Sequence, residues 1–152
     1  MEIKLQKPTI ADFLFIEWLW GDPATTEILG GPFSFPKETR MDWLRSKSLE
    51  ANAYFIIKKD LQSVGEVSFR DYHEGTANLN IKIGAKYRGQ GIGRKALQQF
   101  LAYYVNERGG QTMLDEVKRE NEAAIQFLLN RGFEQVEENE HTVLFQWCAK
   151  LK

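Results

Sequence analysis

Residues 88–94 read Arg88-Gly89-Gln90-Gly91-Ile92-Gly93-Arg94, three glycines bracketed by two arginines. Glycines let a backbone approach a ligand closely, and the free amides at a helix start point outward into a field that favours anions. Guanidinium groups match phosphate oxygens, so the stretch predicts a pyrophosphate cradle. Two carboxylates could do acid–base work. Glu116 lies in the strand-like run Leu114-Asp115-Glu116-Val117-Lys118, where pairing with Lys118 or Arg119 is the competing explanation. Glu66 sits between Gly65 and Val67 in a run that otherwise reads as buried, unless the strand is an exposed edge. A carboxylate beside a bound ligand can act as a general base. His73 and His141 fall among turn residues, and no metal is expected.

The elements around these residues must position them. Alternation predicts a strand at 3–5, and apolar spacing predicts a heavily aromatic helix over 10–20, begun by Thr9 and Asp12 as a capping pair. Pro36 suits the first turn of a second helix, with Met41, Trp43, Leu44 and Leu49 on its apolar side. The period then shortens, predicting strands at 54–57, 64–69 and 77–83 as an antiparallel meander with a turn over 71–75. A long helix follows through Ile92, Leu97, Leu101 and Val105, stopped by Gly109-Gly110. After a strand at 113–117, Asn121 caps a helix that Gly132 closes, and strands at 133–137 and 142–147 end the chain. The order is β-α-α-β-β-β-α-β-α-β-β, an α/β (α+β) fold with a mixed, largely antiparallel sheet flanked by helices.

At 152 residues with 43% apolar and 27% charged side chains, the chain fits a single domain over 1–152 with its own core. A net charge of -1 lacks the basic excess that neutralises phosphate backbones, so no nucleic acid is expected as partner. The single cysteine, Cys148, is expected as a buried thiol and suits a reducing cytoplasm. No stretch approaches the roughly 20 apolar residues of a membrane span, and the N-terminus has no signal-peptide core, so neither membrane nor secretion is expected. Trp18, Trp20 and Trp43 belong either to the core or to an interface, which leaves room for a homodimer.

Through Arg88, Gly91 and Gly93 the glycine-rich stretch resembles the R/Q-x-x-G-x-G/A signature of the GCN5-related N-acetyltransferases. A second landmark, the asparagine-capped helix from Asn121-Glu122-Ala123-Ala124 to Arg131-Gly132-Phe133, stands at the expected separation. The resemblance spans nearly the whole chain. It implies acetyl-CoA as co-substrate, an amine acceptor on a small molecule or peptide, and an opening between the strands at 77–83 and 113–117. It further implies that pantetheine lies along Ile81 and Ile83, that the pyrophosphate sits on residues 88–94, and that Asn121 belongs to the cofactor-binding set. Glu116, five residues before Asn121, resembles the base of the ribosomal-protein acetyltransferases, with Glu66 second.

The family's usual general acid is a tyrosine, and Leu128 stands at that position; Tyr103, Tyr104 or water would then serve, or no acid is required. Leu128 also keeps open a catalytically silent acyl-CoA-binding module. A dinucleotide reading of Gly91-Ile92-Gly93-Arg94-Lys95-Ala96, with Asp115 and Glu116 beyond, fails on context, since residues 84–90 intervene after the strand and a meander replaces the expected βαβ start. In the family the closing hairpin and the first helix border the acceptor end of the cleft, so Glu134, Glu137, Glu138 and Glu140 with Glu17, Asp22 and Glu27 imply a cationic acceptor, the alternative being glutamates that are merely solvated in a turn.

Overall fold

The computed structural model describes residues 1–35 and 37–150. Pro36, expected to begin the second helix, lies outside them. The strands are β1 (Ile3–Gln6), β2 (Ala53–Lys59), β3 (Gln62–His73), β4 (Thr76–Ile83), β5 (Thr112–Lys118), β6 (Glu134–Glu138) and β7 (Thr142–Cys148); β2 is a continuous buried apolar run, and β6 is exposed along its whole length. They form one sheet in the order β1-β2-β3-β4-β5-β7-β6. Every neighbouring pair is antiparallel except β4 and β5, which run parallel.

The helices are α1 (Phe13–Gly21), α2 (Pro23–Thr26), α3 (Arg40–Lys47), α4 (Ile92–Arg108) and α5 (Glu122–Asn130). A 3₁₀ turn over Ile10–Asp12 leads into α1, and the Thr9 amide donates to the Asp12 carboxylate at 2.8 Å, as the capping pair predicts. The one-turn helix α2 is an addition to the expected order. Asp22 explains it: its carbonyl accepts from the Thr25 and Thr26 amides, both at 3.1 Å, and its carboxylate accepts from the Thr25 hydroxyl. Pro23 at the first helical position supplies the fixed φ.

Strand β3 continues to His73, so the turn expected over 71–75 shrinks to Glu74 and Gly75. A register irregularity between Arg70 and His73, with Asp71 at φ 56°, lets these polar residues stay in the ladder. On α3 the expected apolar side is only half realised. Trp43 and Leu44 pack inward, but Met41, in the first turn, is exposed, and so is Leu49, which lies beyond the helix end at Lys47.

Two apolar layers cover the sheet. Phe55, Val67, Phe69, Leu79, Met113 and Phe145 face Leu97, Phe100 and Tyr104 of α4 and Leu128 of α5. Tyr54 and Ile56, one residue out of phase, face Phe13 and Ile16 of α1 with Phe35, Trp20 and Trp43. Burying each such side chain stabilises the fold by about 1.5–3 kcal/mol. Cys148, expected to be buried, is exposed: in β7 Val143 and Phe145 turn inward, and the alternation puts Gln146 and Cys148 in the other phase.

Candidate active site

The site begins where the sheet fails to close. Strands β4 and β5 pair only at Thr76–Thr112, Ala77–Met113 and Asn78–Leu114. Beyond Asn78, β4 runs on through Ile83 with no partner strand on that side, and β5 runs on paired to β7 alone. Tyr104 pins the closed end: its hydroxyl lies 2.7 Å from the Thr112 carbonyl and 3.0 Å from that of Gly75. Burial pushes the phenol to about 12, with Tyr72 adding a smaller repulsion, so Tyr104 stays neutral and structural.

The open end leads to the glycine-rich turn. Gly89 and Gly91 adopt φ of 77° and 79°, a left-handed conformation that side chains with a Cβ rarely take, and Gly91 is the cap from which α4 starts. The first amides of α4 have no intrahelical acceptor and form a concave set of donors. A Cβ on Gly93 would meet the Phe127 ring at 3.2 Å, so this glycine also lets α4 approach α5.

The two arginines part company. Arg88, itself exposed, donates from Nε to the Ile83 carbonyl at 3.3 Å and from Nη2 to that of Thr25 at 3.0 Å, so its guanidinium fastens the turn to α2. Arg94 is exposed on the first turn of α4 and lines a groove of about 460 Å³ with Leu101, Asn130, Arg131 and Trp147. Gln90 accepts from Lys59 at 2.6 Å, and the side chain of Ile92 is buried. Ile81 and Ile83 are half-buried against the α4-side layer, and they lie on the stretch of β4 past Asn78 that has no partner strand on the β5 side. Asn121 caps α5 by accepting from the Ala124 amide at 3.1 Å.

The two carboxylates sit on the sheet face opposite α4 and differ completely. Glu116 is exposed on β5 beyond the last pairing with β4, and among the described residues neither Lys118 nor Arg119 pairs with it, Arg119 being bound to Glu138 at 2.8 Å. Glu66 is fully buried on an interior strand, so edge exposure does not account for it. It accepts from Trp20 Nε1 and the Tyr54 hydroxyl at 2.8 Å each and from Asn80 Nδ2 at 2.6 Å. Lys82, its cross-strand partner, lays its ammonium 3.3 Å from the Trp20 ring centroid. Burial lowers the Lys82 pKa, against the pull of Glu66, with Lys47 lowering it further. Burial, reinforced by the Glu66 charge, raises the Tyr54 phenol well above its usual value.

Trp20, Tyr54, Asn80 and Lys82 were not among the candidate site residues of the sequence reading. The strand period could have placed them, since Asn80 and Lys82 alternate with Leu79, Ile81 and Ile83. What could not be read is that α1 lays Trp20 over them. On the outer side of that layer, Trp20, Phe33, Phe35, Asp42 and Trp43 line a cavity of about 420 Å³. No group of three or more potential metal ligands occurs among the described residues.

Comparison with known proteins agrees with this geometry. A family model described as an acetyltransferase (GNAT) domain matches residues 2–134. Among solved structures, the chain is similar to a spermidine N-acetyltransferase from Vibrio cholerae in complex with CoA and spermine, with a TM-score of 0.86, 16% identity, and 96% of this chain and 95% of that one covered. It is also similar to an acetyltransferase from Thermus thermophilus, TM-score 0.82 at 18% identity with 98% of each chain covered. A third, the PaiA N-acetyltransferase from Thermoplasma acidophilum in complex with coenzyme A, gives a TM-score of 0.75 at 16% identity, covering 98% of this chain and 100% of that one. No curated protein matches by sequence.

Proposed function

The chain belongs to the GNAT acetyltransferases, with acetyl-CoA as co-substrate, and from that premise we propose direct acetyl transfer to a primary amine of a small molecule or peptide. The observation that carries the reading is the order of features along one path: an opening between β4 and β5, then left-handed glycines, then a helix start with unpaired amides. In this reading the pyrophosphate of acetyl-CoA sits on the amides of residues 89–94 with Arg94 beside them, while Arg88 holds the turn in shape. Pantetheine lies along the free backbone edge at Ile81 and Ile83, hydrogen-bonding as an extra strand would. Asn121 acts by fixing the start of α5.

Held there, the thioester meets an amine arriving on the face opposite α4. Glu116 takes the amine's proton, and positioning supplies much of the rest of the gain. Glu66 is a positioning residue in this scheme, because its oxygens are engaged by three side chains and closed to solvent. Glu134, Glu137 and Glu140 are exposed and make no ion pair among the described residues, which supports attraction of a cationic amine from solution. The spermidine N-acetyltransferase likeness points the same way. A cytoplasmic setting suits the single free cysteine.

The test is thiol release from acetyl-CoA in the presence of a panel of amines, with the acetylated product identified by mass. A second reading, a silent acyl-CoA-binding module, draws on one observation: Leu128, 1% exposed, fills the position where a proton donor would be expected. CoA binding without thiol release for any amine would establish that reading instead.

A further inference from the structure

Departure of the CoA sulfur needs no obligatory acid, since a thiol has an ordinary pKa of about 8.5, but a proton delivered as the C–S bond breaks speeds the step. The tyrosines nearest to that task in chemistry are committed elsewhere. Tyr104 pins the closed end of the opening. The Tyr103 hydroxyl is held by Arg108 at 3.2 Å, and Arg108 is bound in turn to the carbonyls of Glu50 and Asn52. Leu128 has no proton to give.

One ionisable side chain on β5 is unaccounted for. Asp115 lies one residue past Leu114, the last residue of β5 to pair with β4. Its register partner across β7 is Phe145, and its neighbours in phase, Met113 and Val117, belong to the layer under α4 and α5, as Leu128 does. Asp115 is partly buried, and among the described residues its carboxyl makes no hydrogen bond and no ion pair. The adjacent Glu116 has the opposite phase and faces the acceptor side. Strand alternation therefore sets two carboxyl groups, in consecutive residues, on the two faces of the opening through which the acetyl group passes.

We propose that Asp115 is the acid of the reaction, giving its carboxyl proton to the departing CoA sulfur. This rests on the acetyl-transfer reading above. The amine nitrogen forms a bond to the thioester carbonyl carbon from the Glu116 side, and the proton it sheds goes to Glu116. The C–S bond breaks with its electron pair going to sulfur on the Asp115 side, and the Asp115 proton makes the thiol. Both carboxyl groups then return to their starting states by exchange with solvent.

The surroundings suit this task. Burial pushes the Asp115 carboxyl up to about 7, and the one charge acting against that is Arg70 on β3. The elements packed on this face bring Tyr103, Tyr104 and Arg108 from α4, Ile125, Phe127 and Leu128 from α5, and Val143, Phe145 and Trp147 from β7. None of these is an anion; the cations on this side are Arg108, engaged as described, and Arg94 and Arg131, which line the groove beside Trp147. Near neutral pH an acid of this strength is still substantially protonated, and transfer to a thiolate runs downhill.

The test compares wild type, Asp115→Asn and Asp115→Glu as full-length chains. Turnover is followed by thiol release against pH, CoA affinity by calorimetry, and the carboxyl itself by ¹³C NMR titration. Because the acid form is the active one, wild-type turnover is expected to fall as pH rises through about 7. Asp115→Asn should lose roughly a hundredfold in kcat, the low end of general-acid effects, together with that limb of the profile. CoA affinity should stay within twofold, and Asp115→Glu should restore the limb. Wild-type turnover in Asp115→Asn, an unchanged limb, or a loss of CoA affinity that accounts for the whole defect would each overturn the proposal. The NMR titration needs no acceptor, so it judges Asp115 even if no amine is acetylated: a carboxyl titrating near the ordinary value of about 3.9 ends the idea.

Discussion

Trp20 donates its indole N–H to Glu66 at 2.8 Å, tying helix α1 to the middle of the sheet. The face of the same ring carries the Lys82 ammonium, so a single indole joins α1, β3 and β4. The outer side of the ring lines the 420 Å³ cavity, and its position there is set by a carboxylate that no solvent reaches.

Glu66→Ala leaves Trp20 Nε1, the Tyr54 hydroxyl and Asn80 Nδ2 without their acceptor and Lys82 without its nearest counter-charge. A loss of about 3 kcal/mol is expected in urea unfolding, since buried donors left unpaired cost their full desolvation. CoA affinity measured under native conditions should not change, because no cradle residue touches Glu66.

Gly91→Val places a β-branched side chain at φ 79° in the residue that starts α4. Strain of about 1–3 kcal/mol will shift the turn, and the donors of residues 89–94 will no longer converge. Loss of CoA binding of at least tenfold in calorimetry is expected with the sheet intact by circular dichroism; wild-type affinity would remove the cradle from this turn.

Glu116→Gln keeps the shape and removes the proton acceptor. The expected result is a fall of roughly a hundredfold in kcat with CoA affinity unchanged. Full activity would return Glu116 to the role of a solvated strand-end carboxylate.

Replacing Glu134, Glu137 and Glu140 together by glutamine tests the steering of the acceptor. These three have no ion-pair partners among the described residues, whereas Glu138 is tied to Arg119. A cationic acceptor should then show a higher KM, and the wild-type KM should rise with salt as the screening length falls from about 10 Å at 0.1 M to about 3 Å at 1 M. A neutral best acceptor with salt-independent kinetics contradicts the idea.

The regular elements were legible because each declares itself in its own spacing. The alternation of Asn78, Asn80 and Lys82 with Leu79, Ile81 and Ile83 marks β4, and Gly91 and Gly109 mark the two ends of α4. The glycine turn before α4 was legible for the same reason, glycine being the residue that a left-handed helix start requires. The polar assembly around Glu66 was not. Trp20 and Glu66 are 46 residues apart, and a hydrogen bond over that separation leaves no periodic trace. The bonds from Arg88 to the carbonyls of Thr25 and Ile83 leave no such trace either. Cys148 was misread because apolar neighbours say nothing about strand phase at a strand end.

The gap between β4 and β5 also has a thermodynamic side. Past Asn78 and Leu114 the sheet carries two interior edges whose backbone groups water must satisfy, and three residue pairs are all that join one half of the sheet to the other. In the proposed mode of binding, a co-substrate lying along β4 takes over one of those edges and binds only the folded chain. The protein's resistance to heat is therefore expected to track its co-substrate supply, by about 2.7 kcal/mol at a hundred times Kd, so that its lifetime rises when acetyl-CoA is plentiful and shortens when it is scarce.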